Sequence, residues 1–100
     1  MTRFTLTCAA LMLASPAFAI ENLDEKCAIQ AQVVSAIQQA RLDRVAERDV
    51  TDHLLASSPE WPENYNATIP LITPWVYEQK RRIIRNEDLG AAWEELCLQQ

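Results

Sequence analysis

A single glycine, Gly90, and a single histidine, His53, leave this chain with few of the residues on which catalytic sites are usually built. Phosphate-cradling loops need several glycines, so that the backbone can approach the ligand, and one glycine excludes them. The same scarcity removes a glycine-flanked nucleophile elbow, and Ser35, Ser57 and Ser58 have only one imidazole to serve as a base. No apolar run reaches the roughly 20 residues that a spanning helix needs. Alternating apolar and polar stretches between turn glycines are also missing, which takes away the usual signal for strands. Basic residues are in short supply too: after residue 19 there are 8 Lys plus Arg against 14 Asp plus Glu, an excess of 6 negative charges that argues against generic nucleic-acid binding.

At the N-terminus, Arg3, an apolar stretch from Phe4 to Ala14 and the small-x-small triplet Ala17-Phe18-Ala19 make the three parts of a secretory signal peptide. Residues 1–19 are therefore expected to be a cleaved leader, with residues 20–100 as a single helical domain. Cys8 lies inside the apolar stretch and not after it, which speaks against a lipid anchor. A domain of this size buries only about 60% of its unfolded surface, so a covalent staple is valuable. Two cysteines remain after the leader, and an exported chain with two has one intramolecular pairing, Cys27 with Cys97.

Helical spacing dominates the rest of the chain. Asn22 or Asp24 is placed to cap a first helix whose apolar face holds Ile29, Val33, Ala36, Ile37 and Ala40, widened by Cys27 and Val34. Gln30, Gln32, Gln38 and Gln39 read as ordinary helix formers on the rest of its surface. The apolar face loses phase at Leu42 to Ala46, so a break is expected there, followed by a short helix from about Glu47 to Ser57; without the break the two are one long helix. Pro59 and Pro62 mark a loop. Tyr65, Ile69, Ile72 and Val76 have helical spacing, but Pro70 and Pro74 require a kink or a late start, for which Thr73 as N-cap and Pro74 as first residue are suited. This third helix is expected to end in Lys80, Arg81, Arg82 and Arg85, with Asn86 capping a last helix that carries Gly90, Trp93 and Cys97. Gly90 inside that helix implies close approach to another helix. The fold class is all-α, a small bundle of about four short helices, with the N- and C-terminal helices joined by the disulfide.

Asp49 lies four residues before His53 and shares a helical face with it, which is the best arrangement for a metal. Two ligands do not make a site, acidic residues suit a helix start anyway, and no metal or cofactor is expected. A redox role for Cys27 and Cys97 lacks the close Cys-x-x-Cys spacing. Trp61, Tyr65, Trp75, Tyr77 and Trp93 are more large aromatics than a core of this size buries fully. Trp61, Tyr65, Trp75 and Tyr77, in a segment stiffened by four prolines, are the candidate contact residues for an unknown protein partner. The stretch from Trp75 to Arg85 is the alternative candidate, for an anionic membrane surface.

With Ala17 to Ala19, Cys27, Pro74-Trp75-Val76-Tyr77 and Trp93 to Cys97 in place, the chain resembles the small exported two-cysteine all-helical proteins of Gram-negative bacteria, many of unknown function. In size and disulfide count it is similar to the periplasmic acid-stress chaperones. The resemblance is architectural and carries over no active residue. The expectation is a periplasmic or secreted, non-enzymatic binding or accessory module, a monomer or weak oligomer, with a peripheral membrane role or a metal-dependent role at His53 as alternatives.

Overall fold

The computed structural model describes the backbone of residues 15–100 and the side chains from Asn22 onward. The leader expected over residues 1–19, with its Cys8, falls outside the residues whose side chains are described. Among the described residues the chain forms α1 (Ser15–Leu42), α2 (Val50–Ala56), α3 (Ile69–Glu78), α4 (Arg81–Asn86) and α5 (Leu89–Leu98), with 3₁₀ segments at Glu47–Asp49 and Glu63–Thr68 and no strand. The all-α bundle is as expected, and Cys27 of α1 is joined to Cys97 of α5, their Cα atoms 5.6 Å apart.

α1 is the element on which the others are laid. It is helical from Ser15, so Asn22 and Asp24 lie within it and do not cap it as expected. Ala17, Phe18, Ala19 and Ile20 contain no helix breaker, and lengthening an existing helix requires no new nucleus. At the other end the expected break is present. Arg44 adopts a φ of 65°, and the N–H groups of Arg44 and Val45 donate to the carbonyls of Arg41 and Ala40, each at 3.0 Å. This closure usually has glycine at the left-handed position. With one glycine in the chain an arginine occupies it, at a cost of about 1–2 kcal/mol. Ser58, φ 52°, ends α2 in a similar way, but Pro59 after it has no N–H for the outer bond, and the Ser57 hydroxyl donates to the Leu54 carbonyl at 2.6 Å.

α5 runs antiparallel to α1, since Leu89 meets Gln38, Trp93 meets Gln30 and Cys97 meets Cys27. Gly90 is packed directly against α1. A Cβ there would collide with the Ser35 hydroxyl and lie 2.8 Å from the Ala31 carbonyl oxygen, so the expected close contact is present and only glycine fits. The core is formed by Val33, Val34, Ile37 and Ala40 of α1, Val50 and Leu54 of α2, Ile69, Ile72 and Val76 of α3, Ile84 of α4 and Leu89 of α5.

Three expected boundaries are corrected. α3 begins at Ile69 with Pro70 in its first turn, so Pro74 is interior and Thr73 does not cap it. Thr73 is buried, and its hydroxyl donates to the Ile69 carbonyl at 2.6 Å. α3 also stops at Glu78 and does not run on into the basic residues, because its last carbonyls find other donors. Gln79 Nε2 donates to the Trp75 carbonyl at 2.9 Å, and an Arg41 guanidinium N–H donates to the Val76 carbonyl at 2.7 Å. Gln79 is then extended, and Arg81 and Arg82 open the separate helix α4, where only Arg85 lies in the last turn. Finally, Asn86 closes α4, and Asp88 caps α5, its Oδ1 accepting from the Ala91 N–H at 3.0 Å.

Candidate functional site

The four aromatics singled out from the sequence are all half-buried and packed against the core. Two of them are tied by their polar atoms. Trp61 Nε1 donates to Asn66 Oδ1 at 2.8 Å, and the Tyr77 hydroxyl donates to the Val45 carbonyl at 2.6 Å. Trp75 meets Trp93 edge-on with ring centroids 5.3 Å apart, while the Arg41 guanidinium lies 5.6 Å above the Tyr77 ring. Burial pushes the Tyr77 phenol above its ordinary value; the charge of Arg41 pulls it back and that of Glu47 pushes it up.

Trp75 and Tyr77 are two residues apart on α3, so they point about 200° from each other around the helix. They form its two shoulders and not a single flat patch. Between them runs an outward stripe that the aromatic count alone does not reveal: Pro70, Leu71 and Pro74 are exposed, followed one turn on by the exposed Glu78, and Leu71 is 77% exposed, the most open large apolar side chain among the described residues. Ile69, Ile72 and Val76 face the core from the opposite side. α3 is thus apolar nearly all round, a pattern proper to a helix covered on every side. The signal for it in the sequence is the unbroken apolar character of residues 69–77, interrupted only by Thr73.

Beside the stripe lies a groove of about 500 Å³ bounded by Pro70 and Pro74 of α3 and by Glu47, Arg48 and Thr51 across from it. Pro74 has no N–H, so the Pro70 carbonyl has lost its helical donor. An apolar ridge, a carbonyl without its i+4 donor and charges of both signs therefore adjoin one another.

A second groove, about 570 Å³, lies where α1 ends against α4, and Arg41, Arg44, Arg81 and Arg85 line it with Tyr77 and Ile84. Half of the 8 cationic side chains beyond residue 19 meet here. Only folding reveals this, because Arg41 and Arg44 are far in sequence from the 80–85 run. His53 and Asp52 are exposed on α2 and Asp49 is exposed in the 3₁₀ turn before it, and no group of three His, Cys, Asp or Glu placed to hold a metal is found among the described residues. No described helix is long and apolar enough to cross a membrane.

The chain matches no family model, no curated protein and no solved structure.

Proposed function

We propose that this chain is an exported, disulfide-closed helical module that binds another protein through the outward face of α3, and that it performs no chemistry of its own. The observation that carries this is Leu71, 77% exposed beside Pro70 and Pro74 on a helix whose other face is already in the core. Large apolar side chains grouped on a surface mark contact sites. α3 is also held rigidly, by Pro70 and Pro74 in its backbone and by Arg41 and Gln79 at its last carbonyls, so little freedom remains to be lost on docking. Trp75 and Tyr77 on its shoulders supply the half-exposed aromatics that interfaces favour, and Trp61 and Tyr65 extend the same segment. Export rests on the leader pattern of residues 1–19 and accords with the Cys27–Cys97 disulfide, which persists in an oxidising compartment such as the periplasm.

The test places a photo-crosslinking side chain at position 71 in cells that export the protein, with Glu95, on the exposed surface of α5, as the control position. Crosslinks to a defined protein from position 71 but not 95, abolished by adding excess unmodified protein and not by adding excess Leu71→Asp protein, are expected. Leu71 points to solvent, so Leu71→Asp should leave the melting temperature unchanged. If the Leu71→Asp protein competes as well as the unmodified one, α3 is not the contact surface.

A further inference from the structure

We propose that the groove at the C-terminal end of α1 binds a phosphate oxyanion, in a site separate from the outward face of α3. Arg41, Arg44, Arg81 and Arg85 come to it from α1, from the turn that closes α1 and from α4. This is a concentration of one sign in a protein that carries the opposite sign overall. The local alternative is that the arginines only complement the negative end of the α1 dipole, which amounts to about half an elementary charge. Arg41 already answers local needs, donating to the Val76 carbonyl and lying over the Tyr77 ring. Arg44, Arg81 and Arg85 remain, all exposed, and none is ion-paired among the described residues. Three full charges exceed what half a charge can offset. Glu47, which acts on Tyr77 electrostatically, lines the neighbouring groove and not this one.

The choice of phosphate over carboxylate rests on count and shape. Each guanidinium presents a planar fork of N–H donors, and forks arriving from separate elements are best met by a tetrahedral group with three acceptor oxygens and up to two charges. A carboxylate has two oxygens in one plane and one charge. The groove floor includes Ile84 and the Tyr77 ring, so a phosphate attached to an apolar body fits as well as a free one. A soluble phosphate or phosphomonoester offers this full set, whereas a phospholipid diester keeps the tetrahedral phosphorus with two free oxygens and one charge; the experiment separates the two sources.

The oxidised exported protein is titrated with inorganic phosphate in low-salt buffer by two-dimensional NMR, and sedimented with vesicles of phosphatidylcholine alone or mixed with phosphatidylglycerol. Arg81→Ala/Arg85→Ala removes two forks from the groove; Arg82→Ala removes an exposed neighbour that does not line it. Saturable phosphate binding that shifts Tyr77 and the 81–85 amides, weakened about tenfold or more by the double substitution and less than about twofold by Arg82→Ala, supports the site. Sedimentation only with phosphatidylglycerol, lost in the double variant and kept in Arg82→Ala, supports it with a lipid headgroup as the source. Absence of both, equal losses in Arg82→Ala, or equally tight binding of acetate overturns the proposal. Circular dichroism of each variant checks that the helices are intact.

Discussion

Gln38 holds Leu89 by its backbone: Oε1 of the carboxamide accepts the Leu89 N–H at 3.2 Å, while Nε2 of the same group donates to the carbonyls of Ile84 and Glu87, each at 2.8 Å. One side chain of α1 thereby satisfies three main-chain groups at the junction of α4 and α5. Gln30 has a related role further down, accepting from Trp93 Nε1 at 2.9 Å. Two of the glutamines that read as ordinary surface residues are therefore ties between helices.

Replacing Gln38 with alanine is expected to destabilise the oxidised protein by about 2 kcal/mol, because three main-chain groups lose their partner in a partly water-accessible place. Gln38→Glu should cost at least as much, since a carboxylate cannot donate to the two carbonyls and instead repels them. Urea unfolding measures both; a loss below about 0.5 kcal/mol for the alanine variant would show that water replaces the clamp without penalty.

Gly90→Ala should also destabilise, against the helix propensity that favours alanine by about 1 kcal/mol. The added methyl would press on the Ala31 carbonyl, which is main chain and cannot turn aside, and on the Ser35 side chain. Overpacking of this kind costs about 1–3 kcal/mol, so a net loss is expected and a gain in melting temperature would contradict the helix contact.

Reduction of the Cys27–Cys97 bond, whose partners are 70 residues apart, is expected to lower stability by about 4 kcal/mol from loop-closure entropy. For a domain of this size that is comparable to its whole stability. Thermal melts with and without reductant are the measurement, and coincident curves would refute it.

Stability should fall as pH rises above about 10, the ordinary phenol value. Burial raises the Tyr77 pKa, so the unfolded chain releases this proton at a lower pH than the folded one, and alkali favours unfolding. Ionisation also removes the donor that binds the Val45 carbonyl. Tyr77→Phe should be less stable at neutral pH and should lose this part of the alkaline slope, read by denaturant unfolding between pH 8 and 11.

Much of this architecture was legible in the sequence because it rests on local spacing and on elimination. The buried face of α1, the break after Leu42, the turn of helix at Glu47 and the packing of Gly90 are consequences of periodicity and of a lone glycine in a helix. The cysteine pairing follows from there being two cysteines after residue 19. What was not legible depended on partners distant in the chain. Lys80 to Arg85 looked like the end of α3, since nothing local announces that Arg41, about 35 positions earlier, caps the Val76 carbonyl. Thr73-Pro74 carries a sound local start signal, yet burial of Ile69 and Ile72 draws the helix back by a turn past Pro74. Gln38 gave no sign of its task, because the groups it serves become neighbours only when α4 and α5 fold back.

The exposed Ser57, Ser58 and Glu60 lie between α2 and the Glu63–Thr68 segment, and so inside the stretch bounded by Cys27 and Cys97. Between Cys27 and Cys97 the polypeptide is a ring and not a string. A protease that cuts at this linker opens the ring without releasing a fragment, leaving α1 with α2 on one piece, α3 to α5 on the other, and the core shared across the cut. The nicked molecule would keep its size on a non-reducing gel and fall into two bands only after reduction.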